Sequence, residues 1–145
     1  MIVKYTGDYK WENVSPLAYK ETGTNFKNIS RQVLFDGLGD LTCQLRYFEV
    51  KPGGYSSLER HEHVHLVMIL RGAGQVLLGD DIHSIGENDV ITIPPKTWHQ
   101  FQANGEFPLG FLCLVNVERD KVQLPTGDDL AELRKDPKVA AFIKN

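Results

Sequence analysis

Cysteine is scarce in this chain, positive charge is not in excess, and no long apolar run occurs. The two cysteines, Cys43 and Cys113, sit far apart inside the apolar runs LTCQL and FLCLV. Two are too few for a disulfide framework, so both are expected as buried, reduced thiols. No apolar run is longer than the five residues of LVMIL, Leu66–Leu70, far short of the ~18 that would span a bilayer. The N-terminal MIVKYTGDYKW has no basic stretch leading into an apolar one. No secretory signal is read there, and a cytoplasmic location is expected. Lys+Arg number 16 and Asp+Glu 19, a net charge of −3, which does not suggest nucleic acid or an anionic membrane as partner. What is present is 145 residues, 41% of them hydrophobic. That is near the ~150-residue size of one domain, with enough apolar surface for a core and too much for intrinsic disorder.

From about residue 30 the sequence becomes short runs punctuated by Gly, Pro and Asp. Strands are expected at 32–36, 42–50, 65–71, 74–78, 82–85, 89–93, 99–102 and 109–117. Several alternate apolar and polar residues with period two, which turns one face inward. Turn chemistry separates them at Lys51-Pro52-Gly53-Gly54, Gly72-Ala73-Gly74, Gly79-Asp80-Asp81 and Pro94-Pro95, and Gly79-Asp80 reads as a tight hairpin. Many short strands at this spacing predict an all-β sandwich or barrel. Residues 1–28, polar with scattered aromatics, read as an N-terminal arm with one short strand. Residues 29–118 read as the barrel and 119–145 as a helical tail on its outside, the whole forming one domain. In the tail, Asp136 before Pro137 predicts an N-cap and a first-turn proline, and a second helix over 127–135 would start at Thr126 or Asp128.

Three of the five histidines, His61, His63 and His65, fall within five residues, in LERHEHVHL. Imidazole and carboxylate are the usual ligands of first-row divalent metals. On a strand Glu59, His61, His63 and His65 share a face, but residues four apart are separated by about 13 Å. Ligands of one ion, bound at roughly 2.0–2.2 Å, sit much closer together. Joint use of His61 and His65 therefore requires a bend at Glu62-His63-Val64. The alternative is a solvated, charged loop with incidental histidines.

Two stretches carry a resemblance. PGGYSSLERHEHVHLVMILRG, from Pro52 to Gly72, resembles the first motif of the cupin superfamily, and GENDVITIPPKTWHQF, from Gly86 to Phe101, resembles the second. The resemblance implies a double-stranded β-helix, the jelly-roll or cupin barrel, with the predicted helices as short C-terminal additions. Counting back from Gly72 puts the motif's glutamate position on His65, its second histidine on His61 and its first on Glu59. The ligand of the second motif falls on His99. The implied metal set is Glu59, His61, His65 and His99, most similar to small bacterial manganese or iron cupins in which a histidine replaces the glutamate. His63 is left over, as a support for the ligands, a lining of the mouth or an alternative to Glu59. Cys113 takes a strand position that faces the metal cavity in similar cupins. Lys96 stands where the second motif usually has glycine, which affects the turn before His99. His83 is read as surface and Trp98 as packing. Tyr47, Phe48, Met68, Phe101 and Phe111 are read as mostly core.

Three or four protein ligands leave open positions on a six-coordinate metal, as catalysis needs. The resemblance implies one divalent transition metal per chain, with manganese or iron favoured and zinc, nickel or copper compatible with the ligands. It also implies a small-molecule substrate, oxygenase-type chemistry first, and a homodimer paired through edge strands or the arm. The alternatives are a non-catalytic ligand-binding or sensor protein with a structural metal, and a metal-dependent isomerase or hydrolase.

Overall fold

The computed structural model describes residues 1–20 and 23–145; the expected arm thus includes two residues, 21 and 22, outside the described ones. The elements in chain order are β1 (Tyr5–Gly7), β2 (Lys10–Trp11), β3 (Leu17–Ala18), β4 (Lys27–Leu38), β5 (Leu41–Tyr55), β6 (His65–Arg71), β7 (Ala73–Leu78), β8 (Asp81–Gly86), β9 (Val90–Ile93), β10 (His99–Gln102) and β11 (Leu109–Asn116), then helices α1 (Gly127–Leu133) and α2 (Pro137–Phe142). β1 and β2 pair with each other. The other strands form one antiparallel sheet ordered β8-β7-β10-β5-β11-β6-β9, with β4 on β5 and β3 on β4. The sheet curls into a half-barrel around Phe48, Val67, Ile69, Phe101, Phe111 and their buried neighbours.

The period-two pattern explains these strands. Along β6, Val67 and Ile69 are buried while Leu66 and Met68 are exposed on the outer face. Met68, expected in the core, therefore points outward; Tyr47, Phe48, Phe101 and Phe111 are buried as read. The hairpin between β7 and β8 pairs Leu78 with Asp81 across Gly79-Asp80, with Gly79 at φ +67°, a conformation that glycine adopts without steric cost.

Three further expectations need correction. Cys43, expected as a buried thiol, is only half-buried near the start of β5. The Pro52-Gly53-Gly54 segment does not end a strand. It lies inside β5 as a bulge, where the pairing of β4 with β5 jumps from Ile29↔Val50 to Lys27↔Tyr55. Gly53 sits at φ +72°; a bulge and a turn both call for a glycine with positive φ, so sequence alone does not separate them. The arm contains three short strands rather than one. It lays Tyr9 and Trp11 over Tyr47 on the outside of β5, with ring centroids 5.7 and 5.2 Å away. It then turns in at Tyr19, which packs edge-on against Phe48 at 5.8 Å.

The tail forms two helices. Thr126 caps α1 in a capping box with Asp129, and Asp136 caps α2 ahead of Pro137. Leu133, Val139, Phe142 and Ile143 close over Leu58 and Leu77, with Trp98 against the same cluster. Neither helix is long and apolar enough to cross a membrane.

Candidate metal centre

His65 opens β6 and His99 opens β10. His61 lies in the irregular link between β5 and β6, and the chain bends at Glu62 and His63, where a straight strand would have kept His61 and His65 apart. An isolated antiparallel bridge joins Glu59 to His99, with backbone bonds of 3.2 and 3.0 Å, so the link is stapled to the start of β10. The result is three histidines with ring nitrogens all within 4.8 Å of one another: His61, His65 and His99. They are 1%, 9% and 3% exposed.

Backbone carbonyls set the orientation of two rings. A carbonyl only accepts, so His61 donates from Nδ1 to His63 O at 2.7 Å and His99 donates from Nδ1 to Thr97 O at 3.0 Å. Each Nε2 then carries a lone pair and is available to a metal, the usual arrangement of a ligating histidine. His61 Nε2 is buried with no hydrogen-bond partner. An orphaned buried acceptor costs about 1–3 kcal/mol, and a metal at the centre of the three rings would satisfy it. Burial, followed by His99 and His63, pushes His61 down to about 4. Burial also lowers His65 and His99. All three are therefore neutral near pH 7, the form that binds metal. The donor set fits a divalent transition metal.

Glu59 is buried beside this cluster but is not part of the mutual set. Its Oε2 accepts from Lys20 Nζ at 2.6 Å and from Ser57 Oγ. The Ser57 proton being so used, Ser57 Oγ accepts from Lys20 at 2.7 Å and from Tyr19 at 3.1 Å. Burial raises the Glu59 carboxyl, and Lys20, His99 and Ser57 outweigh it, so the group stays ionised. His63 reaches His65, Nε2 to Nε2, at 2.9 Å, and its Nδ1 meets Asp120 Oδ1 at 2.6 Å. Asp120 also accepts the backbone N–H groups of Glu62 and His63 at 2.8 and 3.0 Å. Those bonds, the Glu62 amide first, hold its carboxyl well below the usual range. Cys113 is buried on β11, with Arg46 Nη2 donating to its sulfur at 3.2 Å. Burial pushes the Cys113 thiol up. His83 is exposed.

A cavity of about 420 Å³ opens beside the cluster, with Glu59 in its lining. Its walls include His63, His65, His99 and Cys113, and Phe48, Phe101 and Phe111 give it an apolar part. Lys20, Arg31, Arg46, Arg119 and Asp120 line it too. None of these five belongs to either sequence motif. They arrive through long-range pairing, and no local pattern marks them.

Lys96 occupies the position where the second motif usually has glycine. It adopts φ +60°, and its N–H donates to His61 O at 2.7 Å. The turn before His99 is thus the glycine-type turn built with a lysine, in a conformation that costs an L-residue roughly 1–2 kcal/mol. Its ion pair with Glu62 is long, 3.4 Å, and exposed, so it returns little. Lys96→Gly is expected to leave metal content unchanged and to raise stability by up to ~1 kcal/mol. Urea unfolding measures this, and a fall in stability would contradict it.

The depressed histidines also give the metal-free protein a pH dependence. Between pH 6.5 and about 4 the unfolded chain takes up protons that folded His61 refuses, and His65 and His99 act in the same direction. Stability therefore falls as pH drops through that window, by up to ~1.4 kcal/mol per pH unit for each proton. Thermal melting of chelator-treated protein from pH 7.5 to 4.5 should show it, and His61→Gln should make the slope shallower while His65 and His99 keep the rest of it.

A curled antiparallel half-barrel in which three buried histidines converge is the architecture of a cupin, with a donor set that could hold a metal. Residues 46–115 match the cupin domain family, and the chain belongs to the cupin family. It is 54% identical to 1-methylthio-D-xylulose 5-phosphate methylsulfurylase of Rhodospirillum rubrum, over 96% of this chain and 89% of that one. It also resembles the crystal structure of a cupin 2 conserved barrel domain protein from Rhodopseudomonas palustris, at 52% identity, full coverage of both chains and a TM-score of 0.94. A cupin 2 domain-containing protein from Halorhodospira halophila is 41% identical over 99% of this chain and 94% of that one, with a TM-score of 0.77.

Proposed function

We propose that this protein is a metal-dependent enzyme that removes the methylthio group from a 1-methylthio-2-ketose phosphate. The observation that carries the reading is the cluster of His61, His65 and His99 on a cavity with both an apolar and a cationic wall. The 54%-identical relative, named for a substrate of that class, supplies the substrate chemistry. One manganese or iron ion per chain would be held by the three histidines. Glu59, whose charge acts on His99, is the candidate fourth ligand, with His63 as its competitor. The ion would supply Lewis acidity toward the substrate's carbonyl oxygen.

The substrate's own chemistry sets the remaining roles. Its sulfur is bonded to the carbon next to the ketone. Breaking that bond with the electron pair left on carbon is feasible only beside a polarised carbonyl, and the methylthio group must pass to a nucleophile such as a thiol. Phe48, Phe101 and Phe111 give the apolar methylthio end a dry seat. His63, oriented by Asp120, can hold a proton at Nε2 and deliver it to the carbon that loses sulfur. Lys20 and Ser57 keep the Glu59 charge in place.

The test is anaerobic incubation of manganese-loaded protein with 1-methylthio-D-xylulose 5-phosphate and dithiothreitol. The expected result is loss of the methylthio group, a 1-deoxyketose phosphate visible by ³¹P NMR, and no product after chelation. Turnover that requires O₂ would favour oxygenase chemistry. Tight binding without turnover would favour the sensor, and a product that keeps its sulfur would favour an isomerase.

A further inference from the structure

We propose that Arg31, Arg46 and Arg119 form the subsite that binds the phosphate group of a phosphate-ester substrate. Arg31 is on β4, Arg46 on β5, and Arg119 follows β11. Register places the first two on the inner face. Arg31 pairs with Phe48, and Arg46 with Cys113 across the ladder to β11. All three line the cavity that holds the histidines. They come from the β4–β5–β11 wall, whereas His65 and His99 come from β6 and β10.

The charge balance of this wall is incomplete. Lys20 is matched by Glu59, and Asp120 is engaged by His63. Among the described residues no carboxylate lies within 4.0 Å of the guanidinium nitrogens of Arg31, Arg46 or Arg119. Arg46 is 8% exposed. The Nε atoms of both Arg31 and Arg46 are buried without a hydrogen-bond partner; Arg46 stacks over the Phe48 ring at 5.0 Å, and the hydrogen bond it makes is to the weak acceptor Cys113 Sγ. Arg119 bonds to Asn116 O, Val117 O and Gln44, all neutral groups. Burial and then the charges of Arg46 and Arg31 act against the charge of Arg119, and Cys113 and Asp36 only partly offset this.

Buried cations without a counter-ion are costly, and so are buried donors without an acceptor. A phosphate monoester answers both. It brings close to two negative charges and three acceptor oxygens, in a geometry the guanidinium fork matches. A single carboxylate would leave more of the positive charge unmatched. The ester identity rests on the function proposed above, while the arginine cluster does not.

The probes are inorganic phosphate and glycerol 3-phosphate, titrated calorimetrically into the metal-loaded protein. Wild type is expected to bind both, and Arg31→Gln and Arg119→Gln to bind each at least tenfold more weakly. Lys51→Gln, at an exposed site outside the cavity, should match wild type. Melting curves without ligand check that the variants fold, and the phosphate-induced rise in Tm should shrink in both. No phosphate binding by wild type, equal binding by folded arginine variants, or binding of free phosphate but not of the ester would each overturn the subsite. Arginine-dependent phosphate binding upholds it even if the methylthio substrate is not turned over. Turnover of that substrate with KM unchanged in both variants overturns the subsite and leaves the proposed reaction standing.

Discussion

His61→Ala should purify with less than about 0.1 equivalents of metal under conditions where the wild type holds about one. Its metal affinity should drop by more than the 10–100-fold typical of losing a group that merely supports a ligand. His61 is 1% exposed, its Nδ1 is committed to a carbonyl, and its Nε2 has no partner in the protein. Substitution thus removes an atom whose one available use is ligation. The same orphan nitrogen predicts an unusual stability result. A buried imidazole normally costs stability when removed, through lost packing. Here the loss, which includes stacking on His63 at 3.8 Å, is partly offset by relief of an unsatisfied acceptor. Metal-free His61→Ala should therefore melt within a few degrees of metal-free wild type, while wild type alone gains stability from added manganese. Metal analysis by mass spectrometry and paired melting curves decide the matter. Full metal occupancy in the variant would remove His61 from the site.

Gly72→Ala should destabilise the protein by about 3 kcal/mol or more, through two additive causes. Gly72 sits at φ +68°, where a Cβ costs roughly 1–2 kcal/mol. A Cβ there would also overlap the carbonyl oxygen of Pro108, which is backbone and cannot rotate away. The backbone would have to move where β6 hands over to β7, next to the irregular pairing of Gly110 and Phe111 with β6. Overpacking of this kind costs typically 1–3 kcal/mol. Equilibrium urea unfolding would measure the sum, and a loss under 1 kcal/mol would mean that the hairpin relaxes at little cost. Because the histidines lie elsewhere, the folded fraction should keep wild-type metal stoichiometry, which separates this variant from His61→Ala.

Gly72 also marks how far the sequence could be read. It ends the first motif, and counting back from it leads to His65, His61 and Glu59. The first two meet His99 in the structure. Strand positions were legible because burial on one face writes itself into every second residue, as in Val67 and Ile69 of β6. The bend at Glu62 and His63 followed from distance once the resemblance had put His61 and His65 in one site. What could not be read came from residues that act at long range. Lys20 meets Glu59 across 39 positions and Asp120 meets His63 across 57, and nothing local to either signals the encounter. The inward arginines were hidden for a different reason. Alternation says that Arg46 shares a face with Phe48, but a charged residue on a core-facing position reads as an exception until the cavity it lines is seen.

The grip of Asp120 on the link between β5 and β6 has a consequence for hydrogen exchange. The amides of Glu62 and His63 belong to no strand or helix and would ordinarily be expected to exchange like loop amides. Both are donated to one carboxylate contributed from beyond β11. They should exchange slowly, and their protection should vanish in Asp120→Ala while that of the β6 amides persists. The link that carries His61 is kept in shape by a tether that can be cut without unzipping the sheet. Order at this centre is a local property, separable from the stability of the barrel around it.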